Sequence, residues 1–169
     1  MSFSASCLAS CILILDSPLF SLGVILGVMR EHKEEPKLMA QGCRAIHMLG
    51  GRCHSAELPE LEEAAACVLE AFELHPEDGA VHEGACAAVA TLCERGSMVR
   101  EELVEAVAML TGSIERHRTA AVVREAARGI AALCEAAPDL KSRFGSHEMP
   151  SLMVEVLKTE EPNPNPNPP

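Results

Sequence analysis

Apolar positions along the chain recur with the spacing of about 3.6 residues that places side chains on one face of an α-helix. Three segments, 38–49, 81–92 and 122–133, have large apolar residues at their first, ninth and twelfth positions. Small residues stand at their fifth and eighth positions. The predicted core faces are Leu38, Gly42, Ala45, Ile46 and Leu49, then Val81, Ala85, Ala88, Val89 and Leu92, then Val122, Ala126, Gly129, Ile130 and Leu133. We expect the final leucine of each segment to be fully buried.

The stretches between these segments repeat as well. Residues 61–72 match residues 103–114, and 24–29 have the register of 67–72, so each unit comprises a first and a second helix. Pro36, Asp78 and Thr119 are predicted to start the second helices, because Asp and Thr are good N-caps and proline suits the first turn. A last helix is expected at 149–157. The period of 41 to 43 residues is typical of HEAT and armadillo units.

Residues 81–92 and 122–133 resemble the later helices of armadillo-like repeats. The resemblance covers about residues 18–158 and is closest in character to the degenerate repeats found ahead of leucine-rich-repeat kinases. It implies an all-α fold, an α-solenoid of about three and a half armadillo/HEAT-like helical repeats. The better-known members of the family carry a peptide-clamping Asn at the positions of Met48, Thr91 and Ala132.

The two ends of the chain differ from the repeats. Residues 1–17 form an apolar N-terminal segment, interpreted as a capping helix or an anchor, and the repeat domain follows over 18–158. The proline- and asparagine-rich residues 159–169 cannot bury a core and are expected to be disordered. Residues 7–29 are long and apolar enough to suggest a membrane anchor. A membrane span is nevertheless disfavoured, because Asp16 and Pro18 fall in its middle.

Charge and composition narrow the classes of function. The 169 residues include 14 Lys and Arg against 25 Asp and Glu, a net charge of −11, and neither Trp nor Tyr. An acidic chain without stacking aromatic residues is not expected to bind nucleic acid. Five of the eight cysteines lie inside apolar helical patterns, where free cysteine packs as a small hydrophobic residue. With no secretory signal recognisable, reduced thiols and a cytoplasmic location are expected.

Residues capable of catalysis or metal binding are present but form no recognisable motif. The chain has no nucleophile elbow, phosphate-binding glycine loop, CxxC or HExxH, so we expect no enzyme activity and no cofactor. Cys43 and His47, with Cys53 and His54, have a spacing that zinc could use, but Cys43 also fits the repeat as a packing residue. Five other histidines are expected near helix ends or on exposed faces, as is typical of solvated histidine: His32, His75, His82, His117 and His147.

The outward side of the second helices is the predicted binding surface. It comprises Lys37, Arg44, Met48, Ala87, Thr91, Arg124, Arg128 and Ala132. Basic residues at both ends of a stretch of small residues suit an acidic or apolar helix, or an extended peptide. We therefore expect a protein–protein interaction scaffold or adaptor, with a membrane-tethered adaptor anchored by residues 7–29 as the alternative. Both ends of the array lack polar caps, so we also expect self-association or an origin in a longer array.

Overall fold

The computed structural model describes residues 22–52 and 58–144, together with 150, 153, 154, 156 and 158. Every regular element in these residues is helical, so the described fold is all-α. The helices are α1 (Leu22–Glu31), α2 (Pro36–Gly50), α3 (Leu58–Leu74), α4 (Gly79–Arg95), α5 (Arg100–His117), α6 (Ala120–Ala136) and a 3₁₀ helix (Pro138–Phe144). The isolated described residues from 150 to 158 are also helical, which agrees with the predicted last helix.

Local capping explains where the second helices begin. Pro36 opens α2, and the Asp78 carboxylate accepts the backbone N–H groups of Ala80 and Val81 at the start of α4. The Thr119 hydroxyl oxygen accepts the N–H of Val122 at the start of α6. Each cap satisfies donors that a helix N-terminus leaves unpaired. All three predicted starts are confirmed.

The second helices pack in a row, with α4 between α2 and α6, and the first helices pack beside them. Because α4 has a neighbour on both sides, every residue from 84 to 93 is buried. The core extends through all six helices and includes the largest fully buried side chains, among them Phe72, Leu92 and Leu133. Helix α4 is thus the centre of the core.

Most of the predicted core positions are buried, and two are not. Leu92 and Leu133 have no exposed surface, as expected. Leu49 and Ile130 are only partly buried against the core, so the expectation that Leu49 is fully buried is wrong. Leu49 lies in the last turn of α2, at the end of the described row of second helices. Only one side of α2 is therefore covered by another second helix of the described residues, whereas both sides of α4 are.

The candidate anchor at 7–29 overlaps the core. Residues 7–21 lie outside the described residues, as do 159–169, but the remaining third of the segment begins α1. Leu22, Ile25, Leu26 and Met29 are buried in the core formed with α2 and α3. No helix within the described parts of the chain combines the length and apolarity needed to cross a membrane.

The close approach of α2 and α4 at Gly84 leads to a stability prediction. A Cβ at residue 84 would lie 2.9 Å from the Ala40 carbonyl oxygen, which is backbone and cannot move aside. We expect Gly84→Ala to lower the free energy of unfolding by about 1–3 kcal/mol. Chemical denaturation followed by circular dichroism measures the change.

Gly27 provides the matched control for this substitution. It is also helical, but a Cβ there would have no atom within 4 Å among the described residues. Gly27→Ala is expected to stabilise the protein by about 0.5–1 kcal/mol, since it removes only the entropic cost of a helical glycine. Equal effects of the two substitutions would contradict the close approach of α2 and α4.

Candidate partner-binding groove

The predicted binding surface includes a groove between α2 and α4 that reaches α6. It has a volume of about 230 Å³ and is lined by Arg44, His47, Met48, Glu83, Gly84, Ala87 and Glu125. Gly84 has no side chain and Ala87 has only a methyl group, while longer polar side chains and Met48 surround them. The groove can therefore receive the end of a partner side chain between charged groups.

Three residues of the predicted surface are not exposed. Ala87, Thr91 and Ala132 have 6%, 2% and 6% of their surface accessible, so their expected outward placement is wrong. Ala87 and Thr91 lie on α4, which is covered from both sides by α2 and α6, and Ala132 lies where α6 packs on its own neighbours. Lys37, Met48 and Arg124 are exposed as predicted, and Arg44 and Arg128 are half-buried.

Arg128 connects all three second helices. From α6, its Nη2 atom donates to the Ala87 carbonyl oxygen of α4 at 3.2 Å and lies 3.1 Å from Nδ1 of His47 on α2. Its Nη1 atom lies 3.4 Å from the Glu125 carboxylate. Both terminal nitrogen atoms of the guanidinium thus make contacts within the chain. Arg128 positions the groove, whereas the sequence suggested that it would contact a partner.

His47 is kept neutral beside Arg128. Its Nδ1 atom lies 2.6 Å from the Thr91 hydroxyl and also faces Arg128, which can only donate. The Arg128 contact therefore makes Nδ1 the acceptor and places the ring proton on Nε2. The Thr91 hydroxyl can then donate to Nδ1 instead of to the Ala87 carbonyl oxygen, which is 3.3 Å away. Partial burial, and next the Arg128 charge, lower the pKa of His47. The groove consequently presents a neutral imidazole whose orientation is fixed by two helices.

Arg44 is the more available cation at the groove. Its Nη2 atom lies 3.4 Å from the Glu83 carboxylate, and about 40% of each side chain is exposed. An exposed pair at this distance contributes little to stability, about 0–1 kcal/mol. A partner carboxylate can compete with Glu83 for this guanidinium at small cost. Arg44 therefore suits a binding role better than Arg128 does.

A second polar cluster lies in the core at the other end of α4. His82 is 3% exposed, so its predicted solvated position is wrong. Its ring contacts Phe72 of α3 edge-on at 5.1 Å and His117 of α5 at 4.3 Å between ring centroids. Alignment of the repeats could have predicted the burial of His82, because this residue aligns with Met39 and Val123, which are both buried.

Hydrogen bonding fixes the tautomer of His82. The Ser113 hydroxyl donates to the Met109 carbonyl oxygen at 2.7 Å, so it accepts from Nδ1 of His82, also at 2.7 Å. The unprotonated Nε2 atom is buried without a hydrogen-bond partner among the described residues. Burial, and next the neighbouring His117, lower the pKa of His82 to about 4. His82 is therefore neutral at physiological pH, and its contacts are those of a packed core residue.

The described cysteines are free thiols, as predicted. Cys43, Cys67, Cys86 and Cys93 are buried, and Cys134 is half-buried. Burial raises the pKa of Cys43, Cys86 and Cys93 to about 12, which keeps these thiols protonated and unreactive. Cys53 and His54 lie outside the described residues. In the rest of the chain that the structure describes, no three His, Cys, Asp or Glu side chains converge to hold a metal ion.

Comparisons of the chain with protein-family models, with curated proteins and with solved structures give no match.

Proposed function

We propose that this chain is a non-enzymatic scaffold of armadillo/HEAT-like repeats that binds a partner helix or extended peptide along α2, α4 and α6. A first-helix and second-helix unit recurs every 41 to 43 residues, and the second helices form a continuous row. Such rows create extended binding surfaces in repeat proteins. The acidic net charge of −11 argues against nucleic acid as the partner.

The spacing of the two rows of helices supports a concave binding face. Helices α2, α4 and α6 lie closer to one another than α1, α3 and α5 do. Gly84 permits this approach between α2 and α4, since a Cβ there would lie 2.9 Å from the Ala40 carbonyl oxygen. Helices on the inside of a curved stack are the more closely spaced ones. The face formed by the second helices is therefore the concave one in this proposal.

The observation that carries the proposal is the groove itself. Gly84 and Ala87 leave space between charged side chains, and the exposed Met48 offers an apolar contact. Lys37, Arg44 and Arg124 are basic and accessible on a chain that is acidic as a whole. A partner segment that combines carboxylates with an apolar side chain complements this surface.

The test is a binding measurement with a double substitution, Arg44→Glu with Met48→Glu. Partners are captured with the unmodified full chain, and their affinity for each variant is then measured. We expect the double variant to bind at least about tenfold more weakly, because a central charge is reversed and an apolar contact is lost. Both side chains are substantially exposed, so helicity is expected to be unchanged.

Lys141→Glu is the control for the charge reversal. Lys141 is exposed on the 3₁₀ helix, away from the groove, and its substitution changes the net charge by the same amount as Arg44→Glu. Partners that bind through the groove are expected to be retained by this variant. Equal binding by the unmodified chain and the double variant would contradict the proposed function.

A further inference from the structure

A crevice lies between the start of α2 and the turn that joins α3 to α4. It has a volume of about 360 Å³ and is lined by Pro36, Leu74, His75, Pro76, Glu77 and Asp78, which together define the turn crevice. A site of this size is at the lower end of the range for small ligands. The turn crevice can therefore accept a single side chain, but not a helix.

The turn between α3 and α4 already binds one guanidinium, which comes from the next unit. From α5, Arg116 donates through Nη1 to the Pro76 carbonyl oxygen at 3.2 Å, and its Nε atom lies 3.7 Å from the Glu77 carboxylate. Arg116 does not line the turn crevice, which lies on the Pro36 side of the same turn. A turn of this kind therefore offers a carbonyl oxygen and a carboxylate to an arginine side chain.

The preceding unit has the equivalent carboxylate but not the equivalent arginine. The spacing of the units places Glu34 at the position of Glu77, and Leu74 at the position of Arg116. Helix α3 contains no lysine or arginine, so it supplies no cation to the turn before α2. Leu74, with 37% of its surface exposed, instead places an apolar side chain there. The turn crevice thus lies where the pattern of the units would place a guanidinium.

The surroundings of the turn crevice favour a cation on an aliphatic stem. Glu34 and Glu77 are exposed, and Asp78 caps α4 with its Oδ1 atom alone. The crevice also adjoins the C-terminal end of α3, where the helix dipole is negative and the last turn carries no basic side chain. Leu74 and the two lining prolines can pack against methylene groups such as those of an arginine side chain.

We propose that the turn crevice binds an arginine side chain of a partner protein, with its methylene groups on Leu74 and its guanidinium at the carboxylates of Glu34 and Glu77. A guanidinium is planar and can pair with two carboxylates at once, which a lysine ammonium does less well. The contact does not rest on the proposed function, because none of the lining residues belongs to the groove between α2 and α4.

Titration of the full-length protein with two short peptides tests the proposal. The probes are acetyl-Leu-Arg-Leu-amide and, as a neutral control, acetyl-Leu-Gln-Leu-amide. Binding is followed through the NMR signals of the Leu74 methyl groups and of the His75 ring. The arginine peptide is expected to shift these signals until they saturate, with a Kd of about 1 mM or below. The glutamine peptide is expected to bind at least about tenfold more weakly, because it cannot pair with the carboxylates.

Neutralising two carboxylates separates the turn crevice from the general acidity of the chain. Glu34→Gln with Glu77→Gln is expected to weaken binding of the arginine peptide at least about fivefold. Glu101→Gln with Glu105→Gln is the matched control, because both residues are exposed on α5 and the net charge changes by the same amount. The control variant is expected to keep the Kd of the arginine peptide within about twofold, since distant exposed charges are screened by salt.

Each of three results would overturn the proposal. They are the absence of any shift of the Leu74 and His75 signals with the arginine peptide, equal binding of the two peptides, and equal weakening in the two double variants. Shifts of the same signals when the protein is concentrated without peptide would assign the turn crevice to an arginine of a second copy of the chain. That result would also overturn a partner protein as its occupant.

Discussion

Leu92→Ala is expected to lower the free energy of unfolding by about 2–5 kcal/mol. The leucine side chain lies on α4, between α2 and α6, and has no exposed surface. The substitution removes buried methyl groups and leaves a cavity, which the surrounding helices can close only in part. Urea denaturation of the two proteins at neutral pH measures the difference.

Leu49 is the matched control, because it holds the position of Leu92 one unit earlier but is only partly buried. Leu49→Ala is expected to cost less than about 2 kcal/mol, since less apolar area is lost. If both leucines cost the same, α4 does not occupy a more enclosed position than α2.

Acidification is expected to destabilise the protein through His82. Its pKa falls from 6.5 to about 4 in the folded chain, so between these pH values the unfolded chain binds more protons than the folded one. The free energy of unfolding therefore decreases as the pH falls from about 6.5 to 4. The full pKa difference corresponds to about 3 kcal/mol. Denaturation midpoints measured at intervals between pH 7 and pH 4 give this dependence.

A His82→Leu variant separates this effect from the titration of carboxylates in the same range. The free energy of unfolding of this variant is expected to decrease much less between pH 6.5 and pH 4 than that of the wild-type protein, whatever its value at pH 7. His75→Gln is the control, because His75 lies near the surface and its Nε2 atom contacts the Lys33 carbonyl oxygen, which an amide can also reach. The pH dependence of the wild-type protein should persist in that variant. Identical pH profiles for wild type and His82→Leu would show that His82 is not buried as a neutral group.

The starts of the second helices and most of their core positions could be predicted from the sequence. Caps such as Asp78 and Thr119 act within three residues, and helical periodicity reports burial against any apolar neighbour. Both signals are local. They hold whichever helix packs against the segment, so Leu92 and Leu133 could be placed without knowing the fold.

The binding face was harder to predict, because exposure depends on helices distant in sequence. Thr91 lies on the outward side of a single helix pair, yet it is buried because α4 lies within a row of three. Arg128 is basic and on the expected face, but it turns toward His47, 81 residues earlier in the chain. No pattern within one helix predicts such contacts. Alignment of the units predicts part of the burial, as it does for His82.

For the repeat architecture proposed above, the enclosed position of α4 has a consequence for how the array could grow. Where α4 carries Ala87 and Thr91, the corresponding residues of α2 are Arg44 and Met48, and that of α6 opposite Ala87 is Arg128. At the position of Ala87 both flanking helices thus carry an arginine, whereas at the position of Thr91 helix α6 carries Ala132. A unit copied by gene duplication from either flank and inserted next to α4 would bring another arginine to the groove that Ala87 lines. Lengthening the array in this way would narrow the groove unless a small residue replaced that arginine, so the units are not interchangeable modules.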